Sequence, residues 1–359
     1  MKRKAAYALQ KNHSGDYPVD VVMCWVNGND PEWRAEFDRA TGSQTEGGVR
    51  KDENIMPVDT GDERFRDWGF LKYWFRGVEK FMPWVRDVYF VTWGHLPDFL
   101  DPDADRLKIV RHEEYIPEKY LPTFNSNVIE LNYHRIDGLS ERFVYFNDDM
   151  LILAPTRRED FFIGGQPVDM LSFQPDVANE SDDIMPYIYL NNMMLLARHF
   201  DKRKCVKKHP GDYFHPGYPL SRLAYNALEM AFPRYTGLYT VHGPSPLVKS
   251  TMKHLWETDG DKLDECCMNK LRSRGDVNQY VIREYRKLTG RFVPENLSRK
   301  FAYFNIGDDN SEALRVIGGR KRKVVCLNDS PHITDFEGEK KKFIRALETV
   351  LPEKSSFEK

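Results

Sequence analysis

The chain of 359 residues is 41% hydrophobic and 13% aromatic, with 53 basic against 55 acidic side chains and a formal net charge of −2. That composition belongs to a globular protein with a sizeable core, in one large domain or two ordinary ones, and its balanced charge offers no global basic field for nucleic acid. The five cysteines, Cys24, Cys205, Cys266, Cys267 and Cys326, show no CxxC spacing, which argues against a disulfide framework or zinc site and for a reducing, cytoplasmic compartment.

The basic start MKRKAAYALQKNHSGDY has no long apolar run behind it, so residues 1–17 are expected to fray as a tail rather than form a signal peptide or membrane span. Lys2, Arg3 and Lys4 leave open a weak contact with the inner face of an anionic membrane. Val19 to Val26 is a near-continuous apolar run, as in a parallel strand buried on both faces. Asn27-Gly28-Asn29 breaks it, Asp30 can cap the helix that follows, and Pro31 suits its first position. A helix N-terminus there can receive a phosphate or simply connect strand to helix. Neither GxGxxG nor GxxxxGK[ST] occurs, so there is no dinucleotide fingerprint and no P-loop. Thr41 to Thr60 is a polar, glycine-containing loop of the length used for lids and binding loops. Arg64 and Arg66, which can clamp phosphate or pair with Glu63 and Asp67, precede a predicted helix with apolar positions Trp68, Leu71, Phe75, Val78 and Phe81.

Further strands are predicted over Arg86–Thr92 and Leu107–Val110. Asn125 or Ser126 caps a helix running to about Ile136, with Glu130 in its second turn. Arg142–Asn147 reads as a buried strand, and Asp148 and Asp149 follow it directly. The dipeptide alone reads as a turn, and its position after an apolar strand sets a functional reading level with that one. At the carboxyl end of a strand in an α/β sheet, where ligands bind, two carboxylates would hold a hard cation such as Mg²⁺ and through it a diphosphate.

Beyond Pro155 the pattern loosens. A strand is predicted over Val168–Phe173 and helices over Ile188–Arg198 and Leu220–Phe232. The basic run Lys202–Lys208 is a solvated face or a contact for an anionic acceptor or membrane. His242-Gly243-Pro244-Ser245-Pro246-Leu247 leads into a predicted helix carrying Leu247, Val248, Met252, Leu255 and Trp256; a His at that point can be structural, meet a phosphate or act as acid or base. Asp276 is the expected cap of a helix over Val277–Leu288. Short strands are predicted at Phe301–Ile306 and Lys323–Leu327 and a last helix over Phe336–Leu351; it is in the first half that strands and helices alternate, as in a doubly wound sheet.

Four separated blocks share a resemblance: DVVMCWVNGNDPEW (Asp20–Trp33); RFRDWGFLKYWFRGVEKFMPWVRDVYFVTWGHLP with LPTFNSNVIELNYHRIDGLSERFVYFNDDM (Arg64–Met150); HGPSPLVKSTM with RSRGDV (His242–Val277); and CLND (Cys326–Asp329). In this order the chain resembles the Stealth proteins, hexose-1-phosphate transferases that include bacterial capsular polysaccharide phosphotransferases and, as a relative, the catalytic subunit of the animal N-acetylglucosamine-1-phosphotransferase. One departure is Trp68-Gly69-Phe70, where many members carry a polar segment. The resemblance implies an α/β, Rossmann-like GT-A-type core with a mainly parallel sheet and helical additions in the C-terminal half. It implies a single catalytic domain over 18–359, with 18–155 binding the nucleotide-sugar and 156–359 completing the active site. The donor would be a UDP-sugar (a UDP-N-acetylhexosamine or UDP-hexose), the acceptor a glycan hydroxyl, the cofactor Mg²⁺ or Mn²⁺, and the products UMP and a phosphodiester. No nucleic-acid partner is implied, and an oligomer stays open. By matching position, the catalytic set is Asp149, His242, Arg272 and Asp329. The donor set is Asn27, Gly28, Asp30, Arg64, Arg66, Asn125 and Ser126, and the metal set is Asp148, Asp149 and Asp329.

These residue types suit phosphoryl transfer, which is mostly positioning and stabilisation of spread negative charge. His242 is the first choice for the base that takes the acceptor proton, with Asp149 and Asp329 as rivals. Two other readings remain at this level: a glycosyltransferase that releases UDP, and a carbohydrate-binding protein without turnover.

Overall fold

The computed structural model describes residues 17–42, 66–177, 184–330 and 333–359. The tail up to residue 16, Arg64 and the predicted loop over residues 43–60 lie outside the described residues. Along the chain run β1 (Val19–Cys24), α1 (Pro31–Gly42), α2 (Leu71–Phe81), β2 (Val88–Thr92), β3 (Leu107–Arg111), α3 (Ser126–Leu131), β4 (Arg142–Phe146) and β5 (Met150–Ile152). Then come β6 (Phe162–Ile163), β7 (Gln166–Asp169), α4 (Met185–Ala197), α5 (Lys202–Lys208), α6 (Leu220–Glu229), β8 (Ser245–Val248), α7 (Lys249–Thr258), α8 (Gly260–Cys267) and α9 (Tyr280–Thr289). The last elements are β9 (Val293–Pro294), β10 (Phe301–Asn305), α10 (Ser311–Gly319), β11 (Val324–Asn328) and α11 (Phe336–Val350).

The main sheet has the order β3-β2-β1-β4-β8. The first four strands are parallel and β8 runs antiparallel to β4 at the edge. The fold is thus mixed α/β with a largely parallel main sheet. The residues of β1, β2 and β4 are almost all buried, because the sheet is covered on both faces, and this is why they read as continuous apolar runs. On one face α2 places Trp74, Phe75 and Val78 against Met23, Phe90 and Phe146, in a cluster that extends to Phe343 and Leu347 of α11. On the other, Tyr133, Phe143, Val281 and Ile282 belong to a second cluster.

Strand order turns at β1: β2 lies on one side of it and β4 on the other. The crevice between the carboxyl ends of β1 and β4 is therefore the switch point where an open α/β sheet binds ligands. Its mouth receives a second sheet, β10-β11-β5. The short β5 pairs antiparallel with β11, with Cys326 opposite Met150. The end of β11 is thereby held beside the turn that follows β4.

Three expectations change. The helix predicted from Trp68 starts at Leu71; Trp68 instead stacks on Phe70 and meets Phe336 edge-on, with Gly69 at φ 70° making the bend. Residues 245–248 after His242 form strand β8 rather than a helix start, and Pro246 is accommodated because this strand has a single neighbour in its sheet. Asp276 does not cap α9, whose first turn is entered through Gln279; it is buried and bound by other groups, as described below.

Candidate active site

β4 ends at Phe146, and Asp148 and Asp149 make the turn into β5. The Leu327 amide donates to the Asp149 carbonyl at 2.9 Å, which fixes this turn to β11. The Cys326 thiol donates to Asp149 Oδ2 at 3.0 Å. Burial, then the Asp149 charge, pushes that thiol well above the ordinary range, so it stays protonated and acts as a donor. Asp149 Oδ1 is buried with no hydrogen-bond partner. Desolvation by the packed surroundings and the adjacent Asp149 charge raise the Asp148 carboxyl; more than a third of the residue is still reached by solvent, which moderates the rise.

His242 reaches this pair from the chain segment before β8. Its Nε2 stands 3.8 Å from Asp149 Oδ2 and is itself buried without a hydrogen-bond partner. Its Nδ1 shares a hydrogen bond of 2.9 Å with the Tyr280 hydroxyl at the start of α9. Burial, reinforced by Tyr189, keeps Tyr280 neutral by pushing its ionisation far up. The imidazole is thus fixed from behind by a phenol and presents one ring nitrogen to the cleft.

Arg272 enters from the loop before α9. Its Nε and Nη2 donate to Ser126 Oγ at 3.1 and 2.6 Å. Asp276 holds that loop: buried, it accepts from the side-chain amides of Asn125, Asn127 and Asn269 at 2.7–3.0 Å and from the Ser273 amide. Asn125 also caps α3 and donates to the carbonyl of Leu271. Its amide is fully committed, so Asn125 positions the arginine loop, and Ser126 orients Arg272 directly.

Glu130 of α3 was not among the sequence candidates. It is buried and accepts from the Tyr145 hydroxyl at 3.0 Å. Burial pushes its carboxyl up to about 7, against the opposing pull of the Arg272 charge and the Tyr145 hydroxyl, with His242 also close enough to act on it. Glu130 therefore lies within electrostatic reach of both Arg272 and His242. A lone Glu on the buried face of a helix was the only signal available in sequence.

On the opposite wall, Arg66 makes a bidentate pair with Asp329, Nε to Oδ2 at 3.1 Å and Nη2 to Oδ1 at 2.9 Å, and lies over the Phe336 ring. Arg66, Asp329, Asp148, Asp149 and Asn27 line one cleft at the switch point. Asp30 does not share it. Asp30 caps α1 through the Glu32 and Trp33 amides and lines a neighbouring cleft with Trp93, His95, Arg111 and His112. The two clefts share a wall, where the Asn27 amide donates to His95 Nε2 at 2.7 Å. Gly28 is the buried turn residue between them.

Two family-model matches and near-full-length relatives together decide the kinship. Stealth protein conserved region 1 matches residues 17–44 and conserved region 2 matches residues 64–168. The chain is also 38% identical over 344 residues to the capsular polysaccharide phosphotransferase WcwK of Streptococcus pneumoniae, covering 95% of this chain and 99% of that one. The chain belongs to the Stealth family. It is 35% identical over 349 residues to the receptor polysaccharide phosphotransferase WefC of Streptococcus oralis, again covering 95% and 99%. A solved structure of the bifunctional glycosyltransferase WbbM is similar at a TM-score of 0.31 and 10% identity, covering 93% of this chain and 50% of that one; a likeness of that size carries no argument. This Stealth protein is accordingly a transferase of the phosphotransferase kind. His242, Arg272 and Asp329 lie beyond the two matched regions, and the fold brings each against a residue of the second one: His242 to Asp149, Arg272 to Ser126 and Asp329 to Arg66.

The donor set suits an oxygen-seeking cation. Asp148 and Asp149 are adjacent carboxylates in one cleft, and the unpartnered Asp149 Oδ1 has a lone pair to give, as Mg²⁺ or Mn²⁺ requires. Among the described residues, Asp149, His242 and Cys326 bring three metal-capable atoms within 4.8 Å of one another. The thiol and imidazole there are the ligand types of a softer ion, whereas Asp148 and Asp149 offer oxygen alone. Asp329 is already neutralised by Arg66, leaving Asp148 and Asp149 as the better pair. Among the described residues no helix is long and apolar enough to cross a membrane.

Proposed function

We propose that this Stealth protein transfers a sugar-1-phosphate from a UDP-sugar to a hydroxyl of a glycan acceptor in capsular or exopolysaccharide synthesis, releasing UMP and forming a phosphodiester. The observation that carries the reading is the pair of buried, unpartnered atoms, Asp149 Oδ1 and His242 Nε2, at the carboxyl end of the parallel sheet. Such atoms cost free energy in an empty site and gain partners from a ligand with phosphate oxygens, a hydroxyl and a cation.

In this reading the donor pyrophosphate lies in the β1–β4 crevice, in the manner of a GT-A-type site. The neighbouring cleft with Trp93 and His95 gives room for the nucleoside. Asp148 and Asp149 would hold the Mg²⁺ or Mn²⁺, which when bound neutralises the diphosphate. Arg66, fixed by Asp329, and Arg272, fixed by Ser126, supply guanidinium groups to the transferring phosphoryl oxygens. His242 Nε2 receives the acceptor proton while Tyr280 holds the ring. Oxygen of the acceptor bonds to the sugar-linked phosphorus, the bond from that phosphorus to the bridging oxygen breaks, and UMP leaves with the bridging oxygen.

The test is turnover of a panel of UDP-sugars with Mg²⁺ and acceptor, read by mass spectrometry. UMP release that disappears in Asp149→Asn and His242→Ala supports the proposal. UDP release with a glycosidic product replaces it with glycosyl transfer.

A further inference from the structure

Helix α6 is amphipathic the wrong way round. Its buried face carries Asn226 and Glu229. Asn226 Oδ1 accepts from the Phe173 amide at 2.7 Å and the Ser172 hydroxyl at 3.1 Å, and Glu229 Oε2 accepts from Lys202 Nζ and the Thr236 hydroxyl. The face turned to solvent carries Leu220, Ala224, Ala227 and Leu228, at helical spacing. Leu220 is 84% exposed and Leu228 70%, and Phe232 just beyond the helix is 54% exposed. Single exposed apolar residues need no explanation, but a contiguous stripe of this kind marks an interaction surface.

The neighbouring element tells what covers it. Lys202, the first residue of α5, is buried against the end of α6, donating to the Glu229 carbonyl, the Glu229 carboxylate and the Arg234 carbonyl at 2.7–3.1 Å. Val206 turns inward with it, while Arg203, Lys204, Lys207 and Lys208 are exposed and form no ion pair among the described residues. Asp201, which caps α5, is the one exposed acid on the element. An apolar stripe on one helix and four cations without ion pairs on the helix tied to its end are complementary to a surface with an apolar interior and anionic headgroups. A second copy bound face to face across a two-fold axis would bring like-charged helices together.

We propose that α6 and α5 form a docking surface for an anionic lipid bilayer, with Leu220, Leu228 and Phe232 entering the headgroup boundary and the α5 cations on lipid phosphates. The surface is separate from the catalytic cleft, so the proposal stands apart from the reaction assigned above.

The test is sedimentation of the purified full chain with vesicles of phosphatidylcholine alone and of equimolar phosphatidylcholine and phosphatidylglycerol, at low and high salt. The expected result is binding to the anionic vesicles, weakened by salt, and absent with the neutral ones. Leu228→Glu with Phe232→Glu, and separately Arg203→Glu with Lys207→Glu, should each lower the partition roughly tenfold or more, with circular dichroism and thermal melting matching the unmodified chain. No sedimentation of the unmodified chain with anionic vesicles at low salt overturns the proposal. So does equal sedimentation of chains bearing the glutamates. A dimer in light scattering that Leu228→Glu dissociates, without vesicle binding, assigns the face to a second copy instead.

Discussion

His242 Nε2 stands 3.8 Å from Asp149 Oδ2, and the two residues come from chain positions 93 apart. The gap is too wide for a hydrogen bond and narrow enough for one ligand atom to touch both. Behind the imidazole is Tyr280, and behind the carboxylate is the Cys326 thiol. Both outer groups are neutral, so the charge of the pair is directed into the cleft.

His242→Ala should lower the turnover rate by about 10²–10⁴-fold with a much smaller change in donor affinity, as expected for loss of a proton acceptor. Tyr280→Phe keeps the ring but removes its anchor. A decrease of about tenfold is expected, together with a shifted pH–rate profile. Steady-state kinetics over a range of pH distinguishes the two, and an unchanged profile in Tyr280→Phe would remove the positioning role.

Arg66→Lys keeps a positive charge but loses the two-point contact with Asp329. Turnover should fall about 10²-fold, as on loss of one aimed transition-state donor. The pair is partly exposed, so the melting temperature should barely move. A large loss of stability with normal turnover would make the pair structural.

Glu130→Gln removes the buried carboxylate that feels the Arg272 charge and accepts from Tyr145. Its amide still accepts from Tyr145, so the fold is retained while Arg272 loses its electrostatic partner. Turnover should fall about tenfold or more. A glutamine variant as active as the unmodified chain would exclude a part for the charge.

Glu284 of α9 gives a stability test away from the cleft. Burial, reinforced by Asp176 and opposed by Lys287, the Thr240 hydroxyl and Arg283, pushes its carboxyl up to about 7. The folded state therefore holds a proton that the unfolded state has released between about pH 4.5 and 7, so this group lowers stability as pH rises through that window. Glu284→Gln should match the unmodified chain below that window and be more stable by about 1–3 kcal/mol above it. Denaturant titrations at both ends of the range give the comparison.

The parallel strands and the Asp148-Asp149 turn were legible in the sequence because a strand covered on both faces must be apolar throughout, and the carboxylates stand where such a strand ends. β8 was not legible: Pro244 and Pro246 hide a four-residue edge strand whose pairing comes wholly from β4. β5 was hidden by its three-residue length, since it exists through pairing with β11. Asp276 had the local spacing of a helix cap, but three side-chain amides, two of them from distant Asn125 and Asn127, compete for it and win. Glu130 carries only the weak local mark of a lone Glu on a helix's buried face; its meaning arises when β4, α9 and the Arg272 loop close around it.

The central claim is that phosphorus moves with the sugar. Carrying radioactive phosphorus at the sugar-linked position of the UDP-sugar donor through one round of transfer tests it directly. The label should appear in the glycan, in a phosphodiester, with unlabelled UMP released. Label found on released UDP, with none in the glycan, would contradict it.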